Sequence, residues 1–487
     1  MSPTGGASGT TSERRGTRRG GFSANGPGWR VHGPGGPAPV DADGNWHGRG
    51  RAYEVRTAMY LLLVFTAGAY LPSPLYPDYQ QAFGFGDLTM TSVYATFALV
   101  SAPALLLFGP ASDALGPRTV LRAGLLSAAL GSCCFLLASG PVWLLAGRAA
   151  QGLALGALTG ATTLLIIERA ASGQRPRASV LASIGFVAGT AAGPLVAGVL
   201  AHYAPAPRHI PYLVHLALLL GGWFLVSALP APEGTSRRWR PTCPRVPAGL
   251  RSLFAVAASA GFLAWTAAGL FLAVVPVVLG REAGIENPAV TGALLCAVLT
   301  CSVLTQPLVV RLGPRLAQLL GLAALAAGLV LLALTGGGSL SITVLAAAAS
   351  GVGHGLTYGG AAATVDAVAP EQQRAAITSA LYIAFYAGSG LPAVVVGLLT
   401  RWLPMSTAVS WLGAVAAGLV PLVLVALSFT GRARRVARGG PSPGPVAPSP
   451  GPGAGCAASG ESRNCDRRTV PGGGPRFLRR RPEQRPE

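Results

Sequence analysis

The stretch FGPASDALGPRTVL, residues 108–121, sets one acid, Asp113, and one base, Arg118, around a Gly-Pro turn between two long apolar runs. Charges placed this way can clasp two helix ends, stabilising only the arrangement that brings them together. They can also be an ordinary polar turn. Arg148 and Gln151 sit inside another apolar run, where a charge is costly unless it faces a partner or an aqueous cavity. A side chain snorkelling to the near helix end is the plain alternative. His354 stands in the middle of a third run. Imidazole titrates near neutral pH and can pass a proton, though a buried neutral histidine bonded to a neighbouring helix reads the same way. Tyr70, Trp265, Tyr358, Tyr382 and Tyr386 are placed to line an aromatic pocket or simply to pack. The chemistry these residues offer is charge pairing and proton transfer.

Such side chains need a scaffold, and the composition says which kind. Of 487 residues 51% are hydrophobic and 11% charged, with a mean hydropathy of +0.49, too apolar for a soluble chain. The expected fold is all-α: a polytopic membrane protein with apolar segments near 57–76, 88–109, 119–139, 141–164, 179–201, 211–229, 252–279, 288–310, 317–335, 340–365, 375–399 and 405–429. Each is long enough to cross a hydrocarbon core of about 30 Å. Residues 1–56 and 431–487, rich in Gly, Pro and Arg, lack the aliphatic side chains a core requires and are expected to be disordered. The first apolar segment begins only after Arg56, so an uncleaved span is expected rather than a signal peptide.

The net charge of +20 comes from arginine, and the chain holds no lysine. Together with the Ala, Gly and Pro content this points to high-GC bacterial coding. The connections after spans 2, 4, 6, 8 and 10 carry 13 arginines, while the opposite ones carry Arg208, Arg281 and Arg401. The positive-inside rule then puts both termini and the basic loops in the cytoplasm, which makes the basicity a matter of topology and lipid headgroups. Nucleic acid is not an expected partner. The seven cysteines form no C-x-x-C pair, so no metal site, disulfide framework or cofactor is expected.

The polar connection 231–251 separates six spans from six, giving an N-terminal half over 57–230 and a C-terminal half over 252–430. The halves align. LGPR at 115–118 recurs at 312–315, and the glycines at 152, 156 and 160 recur at 351, 355 and 359. Glu168 matches Asp366, Arg177 matches Arg374 and Pro194 matches Pro392. Parallel repeats of this kind place a site between halves near the midplane.

Within this frame Gly109, Asp113, Gly116 and Arg118 match G-x-x-x-D-x-x-G-x-R, and the chain resembles the major facilitator superfamily in that loop. The resemblance implies that the acid meets the N-terminal end of span 11 as a cytoplasmic latch, with Glu168 beside it. The second half keeps Gly313 and Arg315 but has Val310 in place of the acid. Arg148, Gln151 and Gly152 resemble the R-x-x-Q-G signature of the same family. Gly185, Gly189, Gly193, Pro194 and Gly198 resemble the span 5 signature of its drug:proton antiporters, with Ala197 replacing one glycine. Glycines four apart make a smooth face for close helix approach, and Pro194 favours a bend.

The implied function is proton-coupled export of small, amphipathic or drug-like molecules by alternating access, from a monomer in the bacterial plasma (inner) membrane. Uptake of sugars or organic acids by a symporter or facilitator is the alternative within the class. A polytopic membrane enzyme would need an exposed acid or histidine cluster, and the outer connections show none. The sequence holds no G-x-x-x-x-G-K-[ST] phosphate loop, which argues against ATP as the energy source. Span 1 offers no carboxylate, so His354 is the group expected to carry the proton.

Overall fold

Long apolar runs become helices here because in lipid every backbone N–H and C=O must be satisfied within its own segment. The computed structural model describes residues 45–108, 111–168, 175–230, 246–370 and 373–438. The helices are α1 Asn45–Tyr70, α2 Tyr76–Phe83, α3 Asp87–Phe108, α4 Ala111–Leu115, α5 Pro117–Leu136, α6 Pro141–Glu168, α7 Arg175–Tyr203 and α8 Ile210–Ser227. The second half adds α9 Arg251–Ala273, α10 Val275–Glu282, α11 Pro288–Leu312, α12 Pro314–Thr335, α13 Leu340–Asp366, α14 Arg374–Leu399 and α15 Met405–Arg438. Among the described residues twelve stretches are long and apolar enough to cross a membrane, in the order the sequence predicts.

Two spans are broken near one end, and both breaks have a proline cause. The run LPSPLYP stops α1 at Tyr70, passes through a 3-10 turn at Ser73–Leu75 and restarts as α2. Its counterpart in the second half stops α9 at Ala273 and restarts as α10 with Pro276 in the first turn. Proline there removes a helical hydrogen bond but suits a helix start. At its other end α1 begins at Asn45, within the arm expected to be disordered. Tyr53 donates to Leu225 O at 3.0 Å, and Glu54 is buried, so α8 holds this first part of α1 in place.

Helices α1 to α8 form one half and α9 to α15 the other. Inside the halves α6 packs on α3 and α5, and α13 on α11 and α12; α7 lies on α1, and α14 on α9. The halves meet through α3 with α14 and α7 with α11. The chain divides into two units, Met1–Gly431 and Arg432–Glu487; of the latter, residues 432–438 are described, as helix.

The repeat is visible in the turns. Gly116 has φ 79° and Gly313 has φ 79°, a conformation that a Cβ opposes, each directly before a helix that starts with Pro. The arginine two residues on then reaches a backbone carbonyl of the half's last helix, at the end of α8 in the first half and within α15 in the second. Arg118 Nη2 donates to Ser227 O at 2.7 Å, and Arg315 Nη2 donates to Ser428 O at 3.1 Å. At the end of α8 a cation is favoured by the exposed carbonyls and the helix dipole. LGPR is thus repeated because each half closes its own bundle with it.

Candidate functional site

Two buried polar centres lie in the bundle, one in each half. Arg148 is the eighth residue of α6 and is 0% exposed. Its guanidinium turns inward, which overturns the snorkelling alternative. Nη1 donates to Ala69 O and, at 3.1 Å, to Gln151 Oε1; Nη2 donates to the Tyr76 hydroxyl at 2.8 Å. Gln151 Nε2 donates to Gly68 O at 3.2 Å. The proline break after α1 makes this possible, because it frees the carbonyls near Ala69 and carries Tyr76 over the arginine. Around the charge stand the rings of Phe97, Tyr94 and Tyr76, with centroids 4.9, 5.7 and 6.0 Å from Cζ, a cation–π setting. Tyr70 packs edge-on against Phe97 at 5.5 Å.

The second centre is built on α13, α9 and α14. His354 is fully enclosed, its Nδ1 2.8 Å from Ser302 Oγ on α11, with the donor set by the tautomer. Its ring lies parallel to Tyr358, 5.5 Å between centroids at 10°, and meets the edge of Trp265 at 4.9 Å. The Tyr358 and Tyr382 hydroxyls are 3.0 Å apart, and Tyr386 is tilted against Trp265 at 6.2 Å. The fold therefore assembles Trp265, His354, Tyr358, Tyr382 and Tyr386 into one cluster, while Tyr70 belongs to the arginine centre. His354 Nε2, Trp265 Nε1 and the Tyr386 hydroxyl are buried without a hydrogen-bond partner. Buried polar atoms of this kind are costly unless something else completes them.

The centres are joined across the halves. The Tyr94 hydroxyl and Ser389 Oγ are 2.7 Å apart, linking α3 to α14. Nearer the ends of α7 and α11 that face the Arg118 turn, Ser183 donates to Gln306 Oε1 at 2.7 Å. At the opposite end Asp87 accepts from both Nη1 and Nη2 of Arg281, at 2.9 and 2.7 Å, and from Gln80 Nε2 at 2.8 Å. This fork ties α3 to α10 and is partly open to solvent.

The glycine face of α7 has two contacts rather than one. A Cβ on Gly185 would meet Met59 Cε at 2.7 Å, one on Gly189 would meet Leu63 O at 2.5 Å, and one on Gly193 would press on Ala67. All three belong to α1, in the same half. Gly198 instead abuts Pro288 of α11, in the other half. Helix α7 runs unbroken through Pro194, whose carbonyl lies against Gly292.

In the loop motif, Gly109 and the side chains of Asp113 and Glu168 lie outside the described residues, so its visible members are Gly116 and Arg118. Two buried ionisable groups were missed from the sequence. His215, sixth residue of α8, sits 2.7 Å through Nδ1 from Ser132 Oγ, its ring filling the space beside Gly68. It therefore shares the bundle interior with His354, which the sequence reading had made the sole candidate. Its place in the run RHIPYLVHL, soon after His202 at the end of α7 and His209 before α8, hid it. Glu54 is a buried carboxylate of α1, and a span boundary drawn at residue 57 leaves it outside the membrane.

Comparisons with known proteins agree with this architecture. The family model described as Major Facilitator Superfamily matches residues 58–393. The tetracycline resistance protein, class G, of Vibrio anguillarum is 34% identical over 315 residues, covering 61% of this chain and 76% of that protein. Among solved structures, a POT family transporter in complex with a thioalcohol-conjugated peptide superposes with a TM-score of 0.64 at 13% identity, covering 77% of this chain and 96% of that one. A bacterial homologue of the human lysosomal transporter Spinster superposes with a TM-score of 0.56 at 16% identity, covering 79% and 97%. With twelve spans, two halves and the matched model, the chain belongs to the Major Facilitator Superfamily of transporters.

Proposed function

We propose that the protein exports small amphipathic, drug-like molecules in exchange for protons, holding them between its halves and exposing them to each side in turn. The observation that carries this reading is the cluster of Trp265, His354 and Tyr386 on α9, α13 and α14. Three buried polar atoms there lack partners, set among ring faces suited to a flat apolar body. His354 is the proton-carrying group in this reading, because imidazole changes charge in the working pH range. The similarity to a tetracycline resistance protein supports export and makes tetracycline the first compound to test. Asp113, Arg118 and Glu168 act as the latch of one conformation, and the arginine-rich loops and both termini face the cytoplasm.

The test is transport in proteoliposomes with and without an imposed pH gradient, using tetracycline within a panel of amphipathic drugs. Uphill movement against a drug gradient, driven by an opposing proton gradient and collapsed by a protonophore, is the expected result. Facilitated diffusion is the second reading. It is favoured by the scarcity of acids within the bundle, where Glu54 is the single buried carboxylate among the described residues. Drug movement that only follows its own gradient, whatever the pH difference, would establish it and sink the antiport reading.

A further inference from the structure

Arg148 also bears on the charge of the cargo, provided that the region between the halves is the cargo site, as proposed above. Its guanidinium is a buried cationic fork, yet no carboxylate among the described residues reaches it. The described ion pairs join Arg281 to Asp87 and Arg374 to Asp366, and Asp78 has Arg208 beside it. Glu54 lies roughly 22 Å along α1 from Ala69, at 1.5 Å per residue.

Three of the five N–H groups of Arg148 are taken, all by neutral oxygens: Ala69 O, Gln151 Oε1 and the Tyr76 hydroxyl. Nε is buried with no acceptor, and one hydrogen on Nη2 is also left. Donors on neighbouring guanidinium nitrogens have the spacing that a carboxylate engages with both oxygens. A buried charge with unused donors and no anion among the described residues is energetically incomplete, and an organic anion completes it. A cationic cargo would meet the same charge as repulsion in a low-dielectric site.

We infer that the cargo is an organic anion. Its carboxylate, sulfonate or enolate pairs with the Nε edge of Arg148, and its aromatic body extends past Phe97 and Tyr70 towards Trp265 and Tyr386. The direction follows from the packing, since Phe97 joins the arginine to Tyr70 and Tyr94 bridges to α14, the helix that carries Tyr386.

Three probes that share one ring system and differ in charge test this: 2-naphthylacetate, 2-naphthylacetamide and 2-naphthylethylammonium. Binding to the purified full-length protein is measured by equilibrium dialysis at one neutral pH, with no gradient. The acetate should bind about tenfold tighter than the amide or better, the gain expected of a charge-assisted hydrogen bond, and the ammonium should bind weakest. In Arg148→Gln the acetate should fall to the affinity of the amide while the amide is unchanged. Equal binding of all three, preference for the ammonium, or an acetate preference surviving in folded Arg148→Gln overturns the inference. Should that variant not fold, the wild-type ranking decides alone. Failure of all three to bind overturns both the anion inference and the cargo site. Transport that ignores the proton gradient sinks only the antiport reading, because the ranking is measured without one.

Discussion

The two halves place unlike chemistry at their centres. In the first, the Arg148 guanidinium is held by backbone and side-chain oxygens and faced by three rings. In the second, His354 is a buried imidazole with Ser302 on one nitrogen and no hydrogen-bond partner on the other. A permanent charge away from water needs polar ligands in every state of the cycle, and three neutral oxygens supply them here while the Nε edge stays open. A titratable ring can be neutral in one state and charged in another, so it tolerates an empty neighbour. In the proposed cycle the first centre is a fixed electrostatic post and the second a switchable one, and the Tyr94–Ser389 contact lies between them.

The packing beneath both posts is the place to break this most severely. Gly193→Leu would drive a side chain into the backbone of α1 at Ala67, next to the segment that supplies Ala69 O to Arg148. The expected cost is at least ~1–3 kcal/mol of stability, together with complete loss of transport. Gly418→Leu has open space around it and should behave as wild type in thermal unfolding and in transport.

Arg148→Lys asks whether the first post needs geometry or charge alone. A single ammonium cannot serve Ala69 O, Gln151 and Tyr76 from one planar fork. Losing two charge-assisted hydrogen bonds at about 1.5–3 kcal/mol each should lower transport by at least tenfold although the charge remains. Wild-type transport in the lysine variant would mean that the surrounding oxygens are incidental.

His354→Gln sharpens the other side. The amide keeps polarity and approximate size but gains no proton. Uphill export driven by pH should vanish, while exchange of labelled cargo between compartments of equal pH survives. Unchanged gradient-driven export in this variant would move the proton to His215 or Glu54. The smallest effect is expected at the Asp87–Arg281 fork, which is partly solvated and so worth about 1 kcal/mol or less. Arg281→Gln should leave folding intact and modestly raise the labelling, by a membrane-impermeant thiol reagent, of a cysteine introduced at Gln80.

Much of the architecture was legible because lipid leaves a chain few options. Runs of about 20 apolar residues must be helices, and the six-plus-six repeat showed in LGPR and the spaced glycines. The site was legible only in part. His354 and the four aromatic residues of its cluster are rare polar or bulky positions in Ala- and Gly-rich helices, so they stood out. His215 did not, because it follows His202 and His209 closely, and a boundary error of a few residues was enough to hide Glu54.

Residue order alone determined the number of spans, the two-fold repeat and the asymmetry of the arginines, all of which follow from local hydropathy and counting. Which side chains meet was decided by the tertiary structure. Arg148 could snorkel or turn inward, and the α7 glycines could face either half. Helix rotation and the proline break after α1 settled each case, because contact between residues far apart in sequence depends on angles that no local pattern encodes.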